Sequence, residues 1–222
     1  MMKFSHYCLL ADLFEYPKPG YVEGLQVVQS FLHKNYPETS DNIDTFLDLL
    51  PVDDFYAMEE LFTRSFDVQA ITTLDIGYVL FGDDYKRGEL LANLNKEHLK
   101  VENDCFSELA DHLPNVLRLI SKMEDEELVE EMADQLIGPA VKKMISEFDP
   151  DRLNKKQTFY KKHYKTLIAS SKEWATLYAN ALKAVYQVLY RDFGLTETSA
   201  IKPCSDFLQS VACEIKIEGG CS

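Results

Sequence analysis

Asp53-Asp54-Phe55-Tyr56-Ala57-Met58-Glu59-Glu60-Leu61-Phe62-Thr63-Arg64-Ser65-Phe66-Asp67 is the stretch on which the fold reading turns. Asp53 or Asp54 stands where a helix N-cap would, and Phe55, Met58, Leu61, Phe62 and Phe66 follow at three- and four-residue steps. That period lines them up on one face of an α-helix. A half-buried strand would instead alternate every second residue.

The same period recurs outward in both directions. Toward the N-terminus, Ile43, Phe46, Leu47 and Leu50 mark a short helix that Ser40, Asp41 or Asn42 caps and that ends before Pro51. Val22, Leu25, Val28, Gln29 and Leu32 mark another over about 21–36. Phe4, Tyr7, Cys8, Leu10, Ala11 and Phe14 form a first stripe, broken at Tyr16-Pro17-Lys18-Pro19-Gly20. Toward the C-terminus, Leu74 to Phe81 reads as an apolar helix, and Gly82-Asp83-Asp84 as a C-cap followed by a new N-cap. Tyr85 to Lys100 then carries Leu90, Leu91, Leu94 and Leu99 on or near one face. Ser107 is placed to cap a helix bearing Asp111 and His112, with Pro114 in its first turns. Glu124-Asp125-Glu126-Glu127 suits the positive end of a further helix, which Gly138-Pro139 kinks or breaks. The run from about 154 to 193 repeats through Tyr160, Tyr164, Leu167, Trp174, Tyr178, Ala181, Val185 and Val188, with a bend expected at Ser170-Ser171. Val211 to Ile217 alternates weakly, within a tail. The expectation is an all-α, single-domain helical bundle of about eight to ten helices over residues 1–194, followed by a C-terminal tail, 195–222.

Composition narrows the partners. Hydrophobic residues make up 46% of the 222, enough for a substantial core. The 37 acidic residues outnumber the 23 basic ones, for a formal net charge of −14. That charge argues against nucleic acid and for a basic partner, or simply for solubility. No apolar run approaches the roughly 18–20 residues that span a bilayer. The N-terminal apolar stretch carries Asp12 and Glu15 and does not read as a signal peptide. Five cysteines, at 8, 105, 204, 213 and 221, are irregularly spaced, as expected of reduced cytoplasmic thiols.

No phosphate loop or nucleophile–base pair is visible in the sequence, and no catalytic residue, metal ligand or cofactor is assigned. Asp111-His112 is the nearest thing to a chemical doublet. Neighbours on a helix point about 100° apart, so the pair could not face one point, and His98 and His163 have no spacing that links them to it. The plain alternative is a histidine bonded to nearby backbone. Arg64, between Phe62 and Phe66, is placed to stack on a ring or reach Asp67. Core packing accounts for Phe62, Phe66, Tyr78 and Phe81. Gly88 inside a helix points to close approach by another helix or a peptide.

Glu59-Glu60-Leu61-Phe62-Thr63-Arg64-Ser65-Phe66-Asp67, Tyr78-Val79-Leu80-Phe81-Gly82, Arg87-Gly88 and Glu108-Leu109-Ala110-Asp111-His112-Leu113 together resemble the TorD/DmsD/NarJ family of molybdenum-oxidoreductase maturation chaperones. The likeness is greatest to the nitrate reductase delta-subunit (NarJ-type) branch. Residues 108–112 look like the family's Glu-x-Pro-Asp-His signature, with Ala110 in place of the proline. The resemblance implies a cytoplasmic chaperone, not an enzyme, whose partner is the catalytic subunit of a molybdenum oxidoreductase. It would bind that subunit's N-terminal or twin-arginine leader segment until the cofactor is inserted. Glu108, Asp111, His112, Arg64, Arg87 and Tyr78 become the expected client-peptide-binding residues, with acidic groups facing client arginines. Both a monomer and a domain-swapped dimer remain open. The rival expectations are a small all-α metal-dependent phosphohydrolase using Asp111-His112, and a permanent structural subunit of the reductase.

Overall fold

A computed structural model describes residues 3–163, 176–195 and 207–208, with the side chains of 157–163 left aside. These residues are helical and contain no β-strand, so the chain is all-α. Its helices are α1 (Tyr7–Ala11), α2 (Tyr21–Asn35), α3 (Ser40–Leu49), α4 (Phe55–Phe66), α5 (Ile76–Phe81), α6 (Tyr85–Lys100), α7 (Leu113–Lys122), α8 (Glu126–Met132), α9 (Gly138–Glu147), α10 (Pro150–His163) and α11 (Leu177–Phe193). A π-helical turn, Ala133–Ile137, joins α8 to α9 in one continuous rod. Counting that rod once gives ten helices among the described residues.

Contacts divide the chain into two compact units. One comprises residues 1–11, 75–140 and 189–222, the other 12–74 and 141–188. In the second unit, Asp54 caps α4 by accepting from the Ala57 N–H at 3.1 Å, as its position in the sequence predicts. The stripe of α4 turns Met58, Leu61, Phe62 and Phe66 inward. Phe62 and Phe66 meet Tyr178 edge-on, with ring centroids 5.8 and 4.9 Å away, and Phe46 of α3 lies 5.3 Å from the same ring. Burial pushes the Tyr178 and Tyr21 phenols well up, and Tyr21 donates to the Leu13 carbonyl at 3.0 Å. α3 begins after a 3-10 turn, Pro37–Thr39. Thr39 holds the cap position with no side-chain bond to the helix, its hydroxyl donating back to the Tyr36 carbonyl at 2.8 Å, so none of Ser40, Asp41 and Asn42 is the cap.

In the first unit, α1 packs on α7 and α5 packs on α6. α7 is buried nearly all round, from Leu113 through Ser121, as befits the central helix of a core. Phe4, Tyr7, Leu10 and Ala11 are buried, whereas Cys8 faces solvent, one residue off the expected stripe. Tyr7 and His6 reach Asp192 at 3.0 and 2.8 Å, and Phe4 lies 4.7 Å from the Phe193 ring. The apolar stripe of α6 runs Leu90, Leu94, His98; Leu99 is exposed, so a histidine takes the place expected of a leucine. Asp125 caps α8, accepting from Leu128 at 3.0 Å.

The helix is not broken at Gly138-Pro139. Gly138 donates five residues back to the Ala133 carbonyl, and the wider π turn carries the chain past a proline that has no N–H to give. A Cβ at Gly138 would lie 2.8 Å from Leu195 Cδ1, so that side chain would have to shift to admit one. Of the tail, Leu195 and Leu208 are buried, and the Phe207 carbonyl accepts from Asn93 at 2.9 Å. The expected bend at Ser170-Ser171, the repeats at Tyr164, Leu167 and Trp174, the alternation at 211–217 and the cysteines at 204, 213 and 221 lie outside the described residues.

Candidate functional site

The first unit brings three separated pieces of sequence to one place. Asp75 precedes α5, Tyr78 lies on α5, and Arg87 sits in the first turn of α6, which Asp84 caps through the Lys86 N–H. The third piece is the connection from α6 to α7. Its last residues, Asp111 and His112, run alongside the start of α5 as an isolated antiparallel bridge between Asp75 and His112. The Ile76 N–H donates to the Asp111 carbonyl at 2.9 Å. The Asp-His doublet therefore precedes α7 instead of riding on it, and His112 holds the N-cap position in extended backbone. The 100° objection drawn from helical geometry does not apply.

Arg87 is the hub. Its Nε donates to Asp111 Oδ2 at 2.9 Å and its Nη2 to Asp75 Oδ2 at 2.8 Å, with a longer contact to Asp111 Oδ1 at 3.4 Å. The guanidinium also lies 5.4 Å from the centroid of the Tyr78 ring. His112 Nδ1 donates to Asp75 Oδ1 at 3.2 Å. Exposure falls from outside to inside. The side chains of Asp75, Arg87 and His112 are 24%, 17% and 17% exposed, and Asp111 is fully buried. Burial alone would raise the Asp75 carboxyl, but the His112 bond and the His112 and Arg87 charges hold it below the usual carboxylate range.

Gly77 makes the arrangement possible. A Cβ at this buried position would lie 2.6 Å from Asp111 Oδ2, 3.1 Å from Leu90 Cδ2 and 3.2 Å from Arg87 Cγ. Gly88, which the sequence marks as a close-approach glycine, is exposed and faces nothing within 4 Å. Gly82 does close α5 with positive φ, at 67°.

A second polar layer holds the 101–112 connection from beneath. Buried His98 donates from Nε2 to the Ala110 carbonyl at 3.0 Å, and its Nδ1 accepts from Asn103 at 2.9 Å. Asn103 also donates to the Asn115 carbonyl at 3.1 Å. Asn115 in turn donates to the carbonyls of Cys105 and Leu109, at 3.3 and 3.1 Å. Burial lowers the pKa of His98 despite its bond to Ala110, which keeps the ring neutral and its tautomer fixed. Burial likewise pushes the Cys105 thiol up.

Of the residues singled out from the sequence, Tyr78, Arg87, Asp111 and His112 share this cluster. Tyr78 is 43% exposed and so is not a core residue; Phe81 is half-buried. Glu108 is exposed on the connection. Arg64 belongs to the other unit, where it pairs with Glu60 one turn earlier at 2.7 Å. Asp111 is held by the protein's own arginine, which changes what it can offer a partner. The backbone-bonded histidine is His98, while His112 bonds a carboxylate. Asp75, Gly77, Asn103 and Asn115 were not singled out from the sequence, and His98 was noted only as a histidine without linking spacing to the doublet. Among the described residues, no group of three or more His, Cys, Asp or Glu side chains is arranged to hold a metal. No described helix is long and apolar enough to cross a membrane.

Comparisons with models of known protein families, with curated proteins and with solved structures found no match.

Proposed function

We propose that this chain is a cytoplasmic, system-specific chaperone. It binds the N-terminal or leader segment of a molybdenum-containing reductase subunit and assists cofactor insertion and assembly, without catalysing a reaction itself. One observation carries the reading: Tyr78, Arg87, Asp111 and His112, which come from separate motifs of the resemblance, converge on a single partly exposed network.

The network divides into support and contact. Arg87 and buried Asp111 fix the backbone of the 111–112 segment against α5. Tyr78 faces outward, Asp75 and His112 are only partly exposed, and Glu108 is exposed on the same connection. A client arginine would meet exposed Glu108, since carboxylate–guanidinium contacts are charge-assisted and take two parallel bonds, whereas both Asp75 oxygens are engaged by Arg87 and His112. Tyr78 adds an aromatic face for a cation or an apolar side chain. The −14 charge speeds the approach of a basic leader.

Titration calorimetry at low salt, with N-terminal peptides of molybdenum-containing reductase subunits from the same genome, tests the proposal. Binding that weakens as salt rises is expected. Silence at low salt sinks the chaperone reading. Stoichiometric metal in protein purified without chelator would favour a phosphohydrolase, and co-purification with the mature reductase would favour a permanent subunit.

A further inference from the structure

Three buried side chains tie the 101–112 connection to its neighbours: His98 of α6, Asn103 of the connection itself and Asn115 of α7. Of the three, only the histidine can take up a proton.

Donor and acceptor roles in this layer are forced one after another. The Asn103 amide nitrogen donates to the Asn115 carbonyl, which can only accept, and its other hydrogen is directed at His98 Nδ1. Nδ1 is therefore the bare ring nitrogen, and Nε2 carries the hydrogen given to the Ala110 carbonyl. The Asn115 amide nitrogen uses its own two hydrogens on the carbonyls of Cys105 and Leu109.

A proton arriving at Nδ1 sets N–H against N–H. Turning the Asn103 amide over would offer the ring an oxygen, but would leave the Asn115 carbonyl facing an acceptor. Turning the ring over gains nothing, because both nitrogens of an imidazolium donate. The charge that acts on the ring is that of Lys122 on α7, and it opposes protonation. The other charged and titratable groups of the surrounding elements are engaged or turned away. On α6 Glu97 pairs with Lys100; on the connection Asp104 accepts from the Phe106 N–H, Asp111 is held by Arg87, Cys105 is a thiol that burial pushes up, and Glu102 and Glu108 are exposed. Arg118 of α7 acts on Cys105, and α5 brings Tyr78, whose ring lies against Arg87.

Breaking the layer loosens the connection and little else. Between Val101 and His112 the only buried apolar side chain is Ala110. α6 keeps Leu90 and Leu94 in the core, and α7 keeps Leu113, Val116, Leu117 and Ile120. A segment held by polar bonds, with almost no apolar burial, opens without its neighbours.

We propose that His98 is a proton-operated latch, which fastens the 101–112 connection to α6 and α7 when neutral and releases residues 102–110 when protonated, the helices staying folded. Residues 111 and 112 remain pinned through Arg87 and Asp75. Because burial lowers the pKa of His98, release develops below the ordinary histidine value of about 6.5. The latch depends on these bonds and not on what the chain binds.

Hydrogen–deuterium exchange of the full chain, read by mass spectrometry, tests it at about pH 7.5 and about pH 5, with labelling times scaled to equal intrinsic exchange. Peptides over 101–112 should exchange at least about tenfold faster at the lower pH, while those over α7, and over α4 of the other unit, keep their protection. His98→Gln retains the polarity of the neutral ring, an N–H for Ala110 and an oxygen for Asn103, with no proton to gain. Its connection should stay closed at both pH values. Asn103→Asp offers the protonated ring a carboxylate, so the His98 titration, followed by proton–nitrogen NMR, should move up by about one pH unit or more. Exchange over 101–112 that ignores pH overturns the latch, as does opening shared equally by α7 and α4. Acid opening undiminished in His98→Gln, or a His98 titration that Asn103→Asp leaves in place, overturns it too. If His98→Gln does not fold, the wild-type exchange profile decides.

Discussion

Gly77→Ala and Gly88→Ala make the same chemical change in neighbouring helices and should have opposite effects. Alanine in place of glycine within a helix is worth about 0.5–1 kcal/mol of stability. At Gly88 nothing opposes that gain, because the new methyl meets no atom within 4 Å. At Gly77 the methyl arrives 2.6 Å from Asp111 Oδ2, a distance at which something must move. Leu90 and Arg87 close the other sides at 3.1 and 3.2 Å, so the carboxylate is the part that yields. Its retreat stretches the 2.9 Å bond to Arg87 Nε beyond hydrogen-bonding range. Deleting one partner of a buried ion pair costs about 3–5 kcal/mol, and displacing it costs part of that. After the helical gain, Gly77→Ala should destabilise by about 2 kcal/mol. Urea unfolding followed by far-ultraviolet circular dichroism at pH 7 measures both variants. In an Asp111→Ala background the obstacle is gone, and Gly77→Ala should become neutral or stabilising, a coupling of about 2 kcal/mol. A Gly77→Ala protein as stable as wild type would refute the packing argument, as would absence of the coupling.

Acid should act first through His98. Its folded pKa is lowered, so its contribution is complete above the unfolded value of about 6.5 and is lost as pH falls from there toward the folded value. Thermal midpoints across pH 7.5 to 4.5 should drop in wild type and drop less in His98→Gln. Asp75, also lowered, adds a second loss only as pH falls below the ordinary carboxylate range. In the other unit, Tyr178→Ala removes the ring that meets Phe46, Phe62 and Phe66, and should cost about 3–5 kcal/mol by urea titration. Tyr178→Phe keeps the ring and gives up only a long 3.5 Å contact with Tyr21, so its cost should stay below about 1 kcal/mol.

Periodicity was enough to predict the helices, because a helix is a local object whose buried face repeats every three to four residues. The Phe62 and Phe66 stripe of α4 could be read that way, while residue type suggested a cap at Asp53 or Asp54 and an acidic start to α8. Errors arose where a long-range contact overrode the local pattern. His98 replaced Leu99 in the stripe of α6 because its ring has polar partners in the Ala110 carbonyl and Asn103. Tyr78 left the core to cover the Arg87 guanidinium. The Asp-His doublet left its expected helix because its backbone pairs with Asp75, 37 residues earlier.

The sequence by itself determined that this chain is helical and strongly acidic, and its resemblance grouped Glu108, Asp111, His112, Arg64, Arg87 and Tyr78, of which Arg64 lies in the other unit. Tertiary structure alone decided what they do to one another. Hydrogen bonds and ion pairs act over about 3 Å, so the partners of Arg87 depend on which chain segments fold against it and not on its sequence neighbours. The same limit explains the glycines: Gly77 and Gly88 both lie in helices, and only the approach of Asp111 makes one of them irreplaceable.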